Sequence, residues 1–273
     1  MTAFVKKIFA IMTAVAALLQ SGAAFAVPDG FTPEDILAKR VESRFGSVSN
    51  GEDADFDPYA YSLEGYIIGI DPGHQQKEDP RQEQVSPNDE IVTKDRMSPG
   101  GRGVRSGVEE YEINLAVSLK LAELLRAAGA SVVMSRSTND VNISNMERAQ
   151  LMNEADADLW IRVHCNSSHS QRTNGALVIA PGSDMDIHSQ SEALASHVIT
   201  EFCGVTGAAC RGVSYTDTQT GFNWSDIPVV TIEMGYLSNP KEDVLLCREY
   251  YQSSCAHGIF RGIAAYCAEE DEA

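Results

Sequence analysis

The feature that most constrains the fold is an alternation of short apolar runs with segments of helical periodicity. The apolar runs have the length and composition of buried strands; they are residues 66–70, 131–135, 159–163, 175–180 and 229–234. The segments with helical periodicity are residues 110–129, 142–155, 189–202, 241–246 and 250–266. This alternation favours an α/β domain, so we expect three layers, with a largely parallel or mixed sheet of about six strands and helices on both faces.

Two histidines lie at the ends of predicted strands. His74 follows an apolar run and an Asp-Pro-Gly turn, and His164 ends the run over residues 159–163. The ends of strands in α/β sheets are where functional groups are exposed, and a neutral imidazole is a common metal ligand. The ordinary alternatives are a hydrogen-bonded loop histidine and a satisfied core histidine. His169 is the rival to His164, but its serine-rich surroundings are typical of a loop.

Three glutamates compete at the start of the clearest helix. Glu109, Glu110 and Glu112 all suit a helix N-terminus, where negative charge is favourable, so a simple capping role is the alternative to metal binding. Glu110 is favoured because Asn114 and Ser118 follow it on the same helix face. Asn114 is then placed to orient the Glu110 carboxylate.

Glu233 interrupts an otherwise apolar strand. A carboxylate in such a run is costly to bury unless it is paired or used in chemistry. Burial would raise its pKa towards the range that a general acid or base needs, although a buried salt bridge is the alternative. Two histidines and one glutamate, with a further glutamate nearby, are the parts of a hydrolytic zinc centre.

The first residues have the pattern of a secretory signal peptide. Lys6 and Lys7 precede an apolar run over residues 8–19, and Ala24-Phe25-Ala26 is a suitable cleavage site. An uncleaved anchor is the alternative. No later segment has the roughly 18 apolar residues of a membrane span. We therefore expect a secreted protein without a stable membrane anchor after cleavage.

The remaining chain divides into three parts by composition. We expect an acidic linker or short N-terminal extension over residues 27–64, a catalytic domain over residues 65–268 and an acidic tail over residues 269–273. The segment over residues 75–108 is long, polar and rich in glycine and proline, so we expect a loop that borders the functional cleft. The formal net charge of −18 disfavours binding to nucleic acid or anionic lipid.

The chain has six cysteines, and export would permit disulfides. Sequence alone does not select among the possible pairings. The local candidates are Cys203 with Cys210 and Cys247 with Cys255, whereas Cys165 is better explained as a small buried apolar residue. Cys267 has no local partner.

Several motifs together resemble the zinc-dependent N-acetylmuramoyl-L-alanine amidases of the type 3 family, over about residues 66–267. A strand runs into Asp-Pro-Gly-His-Gln, and Glu110 stands four residues before Asn-Leu. Further along come Ser-Arg after the next strand, Asn-Met-Glu-Arg-Ala and His-Cys-Asn. The last motif, beginning at Glu233, is Glu-Met-Gly-Tyr-Leu-Ser-Asn. Cys165 and the long segment over residues 75–108 are departures from the family pattern.

The resemblance implies a complete active site. His74, Glu110 and His164 match the family's ligands for one zinc ion, and Glu233 matches its catalytic glutamate. The implied substrate is peptidoglycan, and the implied reaction is cleavage of the amide between N-acetylmuramic acid and the L-alanine of the stem peptide. The residues by themselves predict only zinc-assisted amide hydrolysis.

Other roles and other activities stay open at this point. Asn114 and Asn166 are candidates for supporting the site, and Arg102 and Arg105 for pairing with stem-peptide carboxylates. A solvated loop charge is the ordinary explanation of both arginines. A zinc peptidase that cuts within the stem peptide would need the same metal set, and a non-catalytic wall-binding module is a further alternative.

Overall fold

The computed structural model describes residues 57–272. The expected signal peptide, and most of the expected extension over residues 27–64, lie outside this part of the chain. The folded domain begins earlier than residue 65, because Leu63 is buried in the core and its amide donates to the Ala128 carbonyl at 2.8 Å. Before it, Pro58–Ala60 forms a short 3-10 helix.

The order of elements confirms the expected alternation. The strands are β1 (Ile67–Pro72), β2 (Asp79–Ser86), β3 (Asp89–Met97), β4 (Ser131–Met134), β5 (Leu159–Asn166), β6 (Ala176–Pro181), β7 (Cys210–Thr216) and β8 (Val229–Tyr236). The helices are α1 (Glu110–Ala127), α2 (Asn145–Glu154), α3 (His188–Thr206), α4 (Thr220–Asn223), α5 (Pro240–Leu246) and α6 (Glu249–Glu272).

Six of the strands form one mixed sheet. Their order is β4-β1-β5-β8-β6-β7, and every neighbouring pair is parallel except β6 with β8. The expected six-stranded sheet is therefore confirmed. Because β1, β5 and β8 are parallel neighbours, their carboxyl ends meet at one edge of the sheet.

The sheet is covered on both faces, as expected. Successive side chains of a strand point to opposite faces, so Ile161 and Val163 lie on one face of β5 and Trp160 on the other. Ile161 and Val163 belong to the larger core cluster, to which α1, α3 and α6 contribute. Trp160 belongs to a second cluster with Met152 of α2 and Phe222 of α4. The second face becomes polar towards the carboxyl ends of the strands.

The segment over residues 75–108 is not the plain loop that we expected. It contains an antiparallel hairpin, made of β2 and β3, outside the main sheet. The hairpin is bonded to α2 through an ion pair of Arg96 with Glu147 at 2.8 Å. It is bonded to the region of α4 because Trp224 Nε1 donates to the Gln84 carbonyl at 3.1 Å. The hairpin is therefore docked on the second face of the domain.

The acidic residues that we expected to form a separate tail belong instead to the last helix. Helix α6 continues to Glu272, and its last turns contact the domain. Glu269 Oε2 lies 2.6 Å from His197 Nε2, and the Tyr66 hydroxyl donates to Asp271 at 2.8 Å. These contacts give the acidic residues partners that composition alone did not predict. No helix within residues 57–272 is long and apolar enough to span a membrane.

All six cysteines lie in the described part of the chain, and all are free thiols. Neither expected local disulfide is formed. Cys255 is fully buried in the core, and Cys247 contacts Ser106. Cys203 does contact Cys210: burial and a hydrogen bond between the two thiols raise the pKa of Cys203 to about 12.

Candidate metal centre and catalytic site

His74, Glu110 and His164 converge at the carboxyl ends of β1 and β5 and the N-terminus of α1. Glu110 Oε1 lies 3.2 Å from His74 Nε2 and 3.2 Å from His164 Nδ1. The two imidazole rings are 4.8 Å apart between centroids. One ligand atom from each residue lies within 4.8 Å of the others, so the group could hold one metal ion.

The turn after β1 positions His74. Its backbone has a φ of 59°, in the left-handed region that is rare for a residue with a side chain. The preceding residue must be glycine, because a Cβ at Gly73 would lie 2.2 Å from the His164 ring. His74 Nδ1 lies 3.0 Å from the Ser98 carbonyl oxygen, so Nδ1 donates and Nε2 faces Glu110.

Both oxygens of the Glu110 carboxylate accept hydrogen bonds. Its Oε2 accepts from the Gly101 amide at 2.6 Å, and its Oε1 accepts from the Cys165 amide at 3.1 Å. Asn114 Nδ2 donates to Oε1 at 3.2 Å and also to the Gly73 carbonyl. Asn114 therefore lies where the sequence placed it, bridging one candidate ligand and the turn that carries another.

The N-terminal cap of α1 distinguishes Glu110 from Glu109 and Glu112. Glu109 is the N-cap of α1 and forms a capping box with Glu112. These two carboxylates are used by the backbone of the first turn. Glu110, between them, is buried and points to the histidines.

The electrostatics of the group suit a cation. Burial alone would raise the pKa of Glu110, but its interactions with His164 and His74 hold it well below its usual value. Burial lowers the pKa of His164 to about 4, although Glu110 opposes this shift. At neutral pH the site thus offers an ionised carboxylate and an unprotonated imidazole, which are the forms that bind a metal.

Glu233 lies beside the three candidate ligands. His164 and Glu233 are direct partners in the register of β5 and β8, and both point to the second face. Glu233 Oε2 is buried and has no hydrogen-bond partner among the described residues. Burial and the charge of Glu110 raise its pKa to about 8, while Arg162 opposes the shift. A carboxyl group tuned in this way can accept and return a proton near neutral pH.

A buried ion network lies beneath the site. Asp71 is fully buried at the end of β1, where it accepts from Arg148 and, at 3.1 Å, from Arg162 Nε. Burial alone would raise the pKa of Asp71, but Arg148 and then Arg162 hold it well below its usual value. The Arg148 and Arg136 guanidinium groups also bind carbonyl oxygens of the turn that ends at His74.

An open cavity of about 510 Å³ adjoins His164 and Glu233. It has room for a peptide-sized group next to the candidate ligands. Its other lining residues come from the hairpin and the residue after it, from β5 and β8, from the start of α2 and from the residue before α4; they are Lys94, Asp95, Ser98, Asn145, Arg162, Gln219 and Thr231.

Three other sequence candidates lie at the edge of this arrangement. Asn166 ends β5, and its Oδ1 accepts from the Ser167 amide at 2.7 Å. Arg102 pairs with Glu109 at 3.3 Å, and the Arg105 amide donates to Asp243. None of the three lines the cavity, so their roles in binding substrate stay predictions. The rival His169 is exposed and outside the ligand group.

Sequence reasoning missed both cations that line the cavity, Arg162 and Lys94. Arg162 had a detectable signature, because it is a charge inside an apolar strand, the same argument that identified Glu233. Lys94 had none, because its place depends on how the hairpin docks. Both are cations beside the candidate catalytic glutamate.

A mixed α/β sheet, a group that could hold a metal ion and an adjacent glutamate are together typical of the class of metal-dependent hydrolases. Within that class, residues 68–265 match the family of N-acetylmuramoyl-L-alanine amidases. The match covers well over half of the chain, and the chain therefore belongs to this family of enzymes.

Individual relatives agree with the family. The chain is 26% identical to the germination-specific N-acetylmuramoyl-L-alanine amidase of Bacillus subtilis, over 79% of this chain and 85% of that protein. The structure of the catalytic domain of CwlV, from Bacillus (Paenibacillus) polymyxa, has a TM-score of 0.62 at 27% identity, over 74% of this chain and 98% of that one. The fold also matches the amidase Ami1 from Mycobacterium smegmatis, with a TM-score of 0.71 at 22% identity over 76% and 99% of the two chains.

Proposed function

We propose that this chain is an exported peptidoglycan hydrolase that uses one zinc ion held by His74, Glu110 and His164. The bond cleaved is the amide between N-acetylmuramic acid and the L-alanine of the stem peptide. The proposal rests on one observation above the rest: an unpartnered glutamate, Glu233, stands beside His164 in register, next to a group that can bind a metal.

The donor set is the support for zinc. Two imidazoles and one carboxylate are a common zinc combination and leave a coordination position open for the reaction. When bound, zinc would lower the pKa of water and polarise the scissile carbonyl. Asn114 and Ser98 orient the ligands, since Asn114 Nδ2 donates to the Glu110 carboxylate and the Ser98 carbonyl accepts from His74 Nδ1.

Glu233 performs the proton transfers. Its carboxylate, which lines the cavity, takes a proton from the attacking water and returns it to the leaving nitrogen of L-alanine. The pKa of about 8 applies to the metal-free site. A cation nearby would favour the ionised form, so bound zinc would lower this pKa and prepare Glu233 as a base.

Export is the other part of the proposal. Residues 1–26 have the pattern of a signal peptide, and peptidoglycan lies outside the cytoplasmic membrane. The enzyme would therefore act as a secreted or wall-associated protein.

The test is digestion of purified peptidoglycan, with and without a chelator, followed by identification of the new amino termini. We expect new N-terminal alanine, intact muramic acid and loss of activity with the chelator. Glu233→Gln should lose about 10²–10⁴-fold in rate while it keeps one equivalent of zinc. Glu249→Gln, on the exposed surface of α6, is the matched control and should behave as wild type.

Three outcomes would contradict the proposal. New amino termini inside the stem peptide would indicate the zinc peptidase instead. A normal rate in Glu233→Gln would refute the role of this residue. Full activity in the metal-free protein would refute the metal centre.

A further inference from the structure

Two cations line the cavity beside the proposed active site, although the chain as a whole is strongly acidic. Lys94 comes from β3 of the hairpin and Arg162 from β5, and both face the same cavity as His164 and Glu233. Cations brought together in a chain of net charge −18 call for a specific explanation.

Lys94 has no counter-ion in direct contact. It is half-buried, and its ammonium group makes one long hydrogen bond, to the Thr218 carbonyl at 3.5 Å. No described carboxylate lies within ion-pair distance of it, although Glu83 is its direct cross-strand partner in the hairpin and raises its pKa by attraction. Burial, followed by the positive charge of Arg162, lowers the pKa of Lys94. The two cations are thus close enough to repel each other.

Arg162 is only partly neutralised. The Asp71 carboxylate that it contacts is shared with Arg148, so two guanidinium groups depend on one negative charge. The remaining bonds of Arg162 go to neutral amide oxygens, of Gln219 at 2.6 Å and Asn145 at 3.2 Å. Arg162 therefore shares its contacting carboxylate with a second guanidinium group and still lines the cavity together with Lys94.

The position of Lys94 is fixed by the docking of the hairpin. Besides the contacts already described, Asn223 Nδ2 donates to the Val85 carbonyl at 3.1 Å, and Asn145 Nδ2 donates to the Arg96 carbonyl at 2.8 Å. These bonds lie on both sides of the cavity, at α4 and at α2. A cation held in place in this way loses little conformational entropy when it binds an anion.

We propose that Lys94 and Arg162 form a carboxylate-binding subsite, which holds a free carboxylate of the stem peptide next to the scissile amide. This inference rests on the proposed function and names the substrate feature that the site selects. An anion between the two cations relieves their repulsion and accepts charge-assisted hydrogen bonds from both. Asp95 also lines the cavity, but it is exposed and already accepts from Gln82 at 2.6 Å.

The position of the subsite limits which carboxylate can bind. His164 and Glu233 line the same cavity, so the carboxylate must belong to a residue close to the cleaved bond. The α-carboxyl group of the second peptide residue, when it is not amidated, meets this condition. The hairpin would then make the enzyme distinguish free from amidated stem peptides.

The experiment uses two synthetic muramyl peptides that differ only in this group, which is a free carboxylate in one and an amide in the other. We expect the wild-type, zinc-loaded protein to favour the carboxylate form by about tenfold or more in kcat/KM, mainly through KM. Lys94→Met should abolish the preference, because kcat/KM on the carboxylate peptide falls to about the value for the amidated peptide. Lys94→Arg should retain much of the preference, because it keeps the charge.

A matched control removes a lysine outside the cavity. Lys77 precedes the hairpin and forms an exposed pair with Asp140, so Lys77→Met removes the same charge from the same segment. It should keep the wild-type preference. Equal cleavage of both peptides by the wild type, or an unchanged preference in Lys94→Met, would overturn the subsite.

A binding measurement separates this inference from the proposed function. Calorimetry with the corresponding short peptides, which lack the muramyl amide and need no cleavage, compares the free-carboxylate form with the amide. Tighter binding of the carboxylate form to wild type but not to Lys94→Met supports the subsite even if no muramyl amide is cleaved. Equal binding of both forms to the wild type, or no binding of either, refutes it.

Discussion

The buried ion network beneath the site gives the sharpest prediction about stability. Asp71 is fully buried and accepts hydrogen bonds from three donors: the Ser135 hydroxyl at 2.5 Å, the Arg148 guanidinium, and Arg162 Nε at 3.1 Å. Asp71→Asn keeps the shape of the side chain but removes its charge and presents an NH₂ group to donors. Two buried guanidinium groups then lose their shared counter-ion.

The expected cost can be worked from this geometry. Removing one partner of a buried ion pair destabilises a protein by about 3–5 kcal/mol, and here two cations depend on the carboxylate. That is a large fraction of a typical free energy of unfolding of about 5–15 kcal/mol. Urea denaturation at pH 7 measures it. Trp160 is a suitable fluorescence probe, because its ring lies 5.8 Å from Arg162 Cζ.

An exposed pair supplies the control. Asp140 contacts Lys77 at 2.6 Å with most of both side chains in solvent, so Asp140→Asn should leave the free energy of unfolding almost unchanged. If Asp71→Asn costs no more than Asp140→Asn, the argument that the buried network supports the site is refuted.

The same network predicts the direction of the pH dependence. The pKa of Asp71 in the folded protein is below its usual value, whereas in the unfolded chain it is about 3.9. The stabilisation is therefore present above pH 4 and is lost as the pH falls towards the folded-state pKa. The difference in stability between wild type and Asp71→Asn should narrow below about pH 4. A difference that stays constant into the acid range would contradict this linkage.

Two glycine substitutions should change zinc affinity and the free energy of unfolding independently of each other. Gly73→Ala would place a Cβ 2.2 Å from the His164 ring, so we expect zinc affinity to fall by about 10–100-fold with little change in unfolding free energy; undiminished zinc content would contradict this. Gly262→Ala would place a Cβ 2.4 Å from Val198 Cα on α3. Because Val198 Cα is a backbone atom, relieving this clash requires a shift of helix α3 or α6. We expect a loss of about 1–3 kcal/mol with full zinc binding, and an unchanged Tm would show that α3 and α6 tolerate the added atom.

The main sheet was predictable because its strands are buried. β1, β5 and β8 are almost wholly buried, so their residues are apolar and appear as runs in the sequence. β7 was missed because it is an edge strand that is mostly exposed, and no apolar run marks it. The hairpin was missed because β2 buries Asp79 and Glu83 rather than apolar side chains.

The sequence by itself determined the fold class and the identity of the four central residues. Histidine at a strand end and glutamate inside an apolar strand are local signatures, since each contradicts what an ordinary core position would contain. The choice of Glu110 over its neighbours was also local, because Asn114 and Ser118 follow it on the same helix face.

Only the tertiary structure decided what surrounds those residues. Lys94 and Arg162 are far apart in the chain, and they share a cavity because the hairpin docks across α2 and α4. Such docking depends on hydrogen bonds between distant segments, which leave no periodic pattern in either one. The local periodicity of the chain therefore specifies its strands and helices, whereas long-range packing specifies which charges meet beside the candidate metal site.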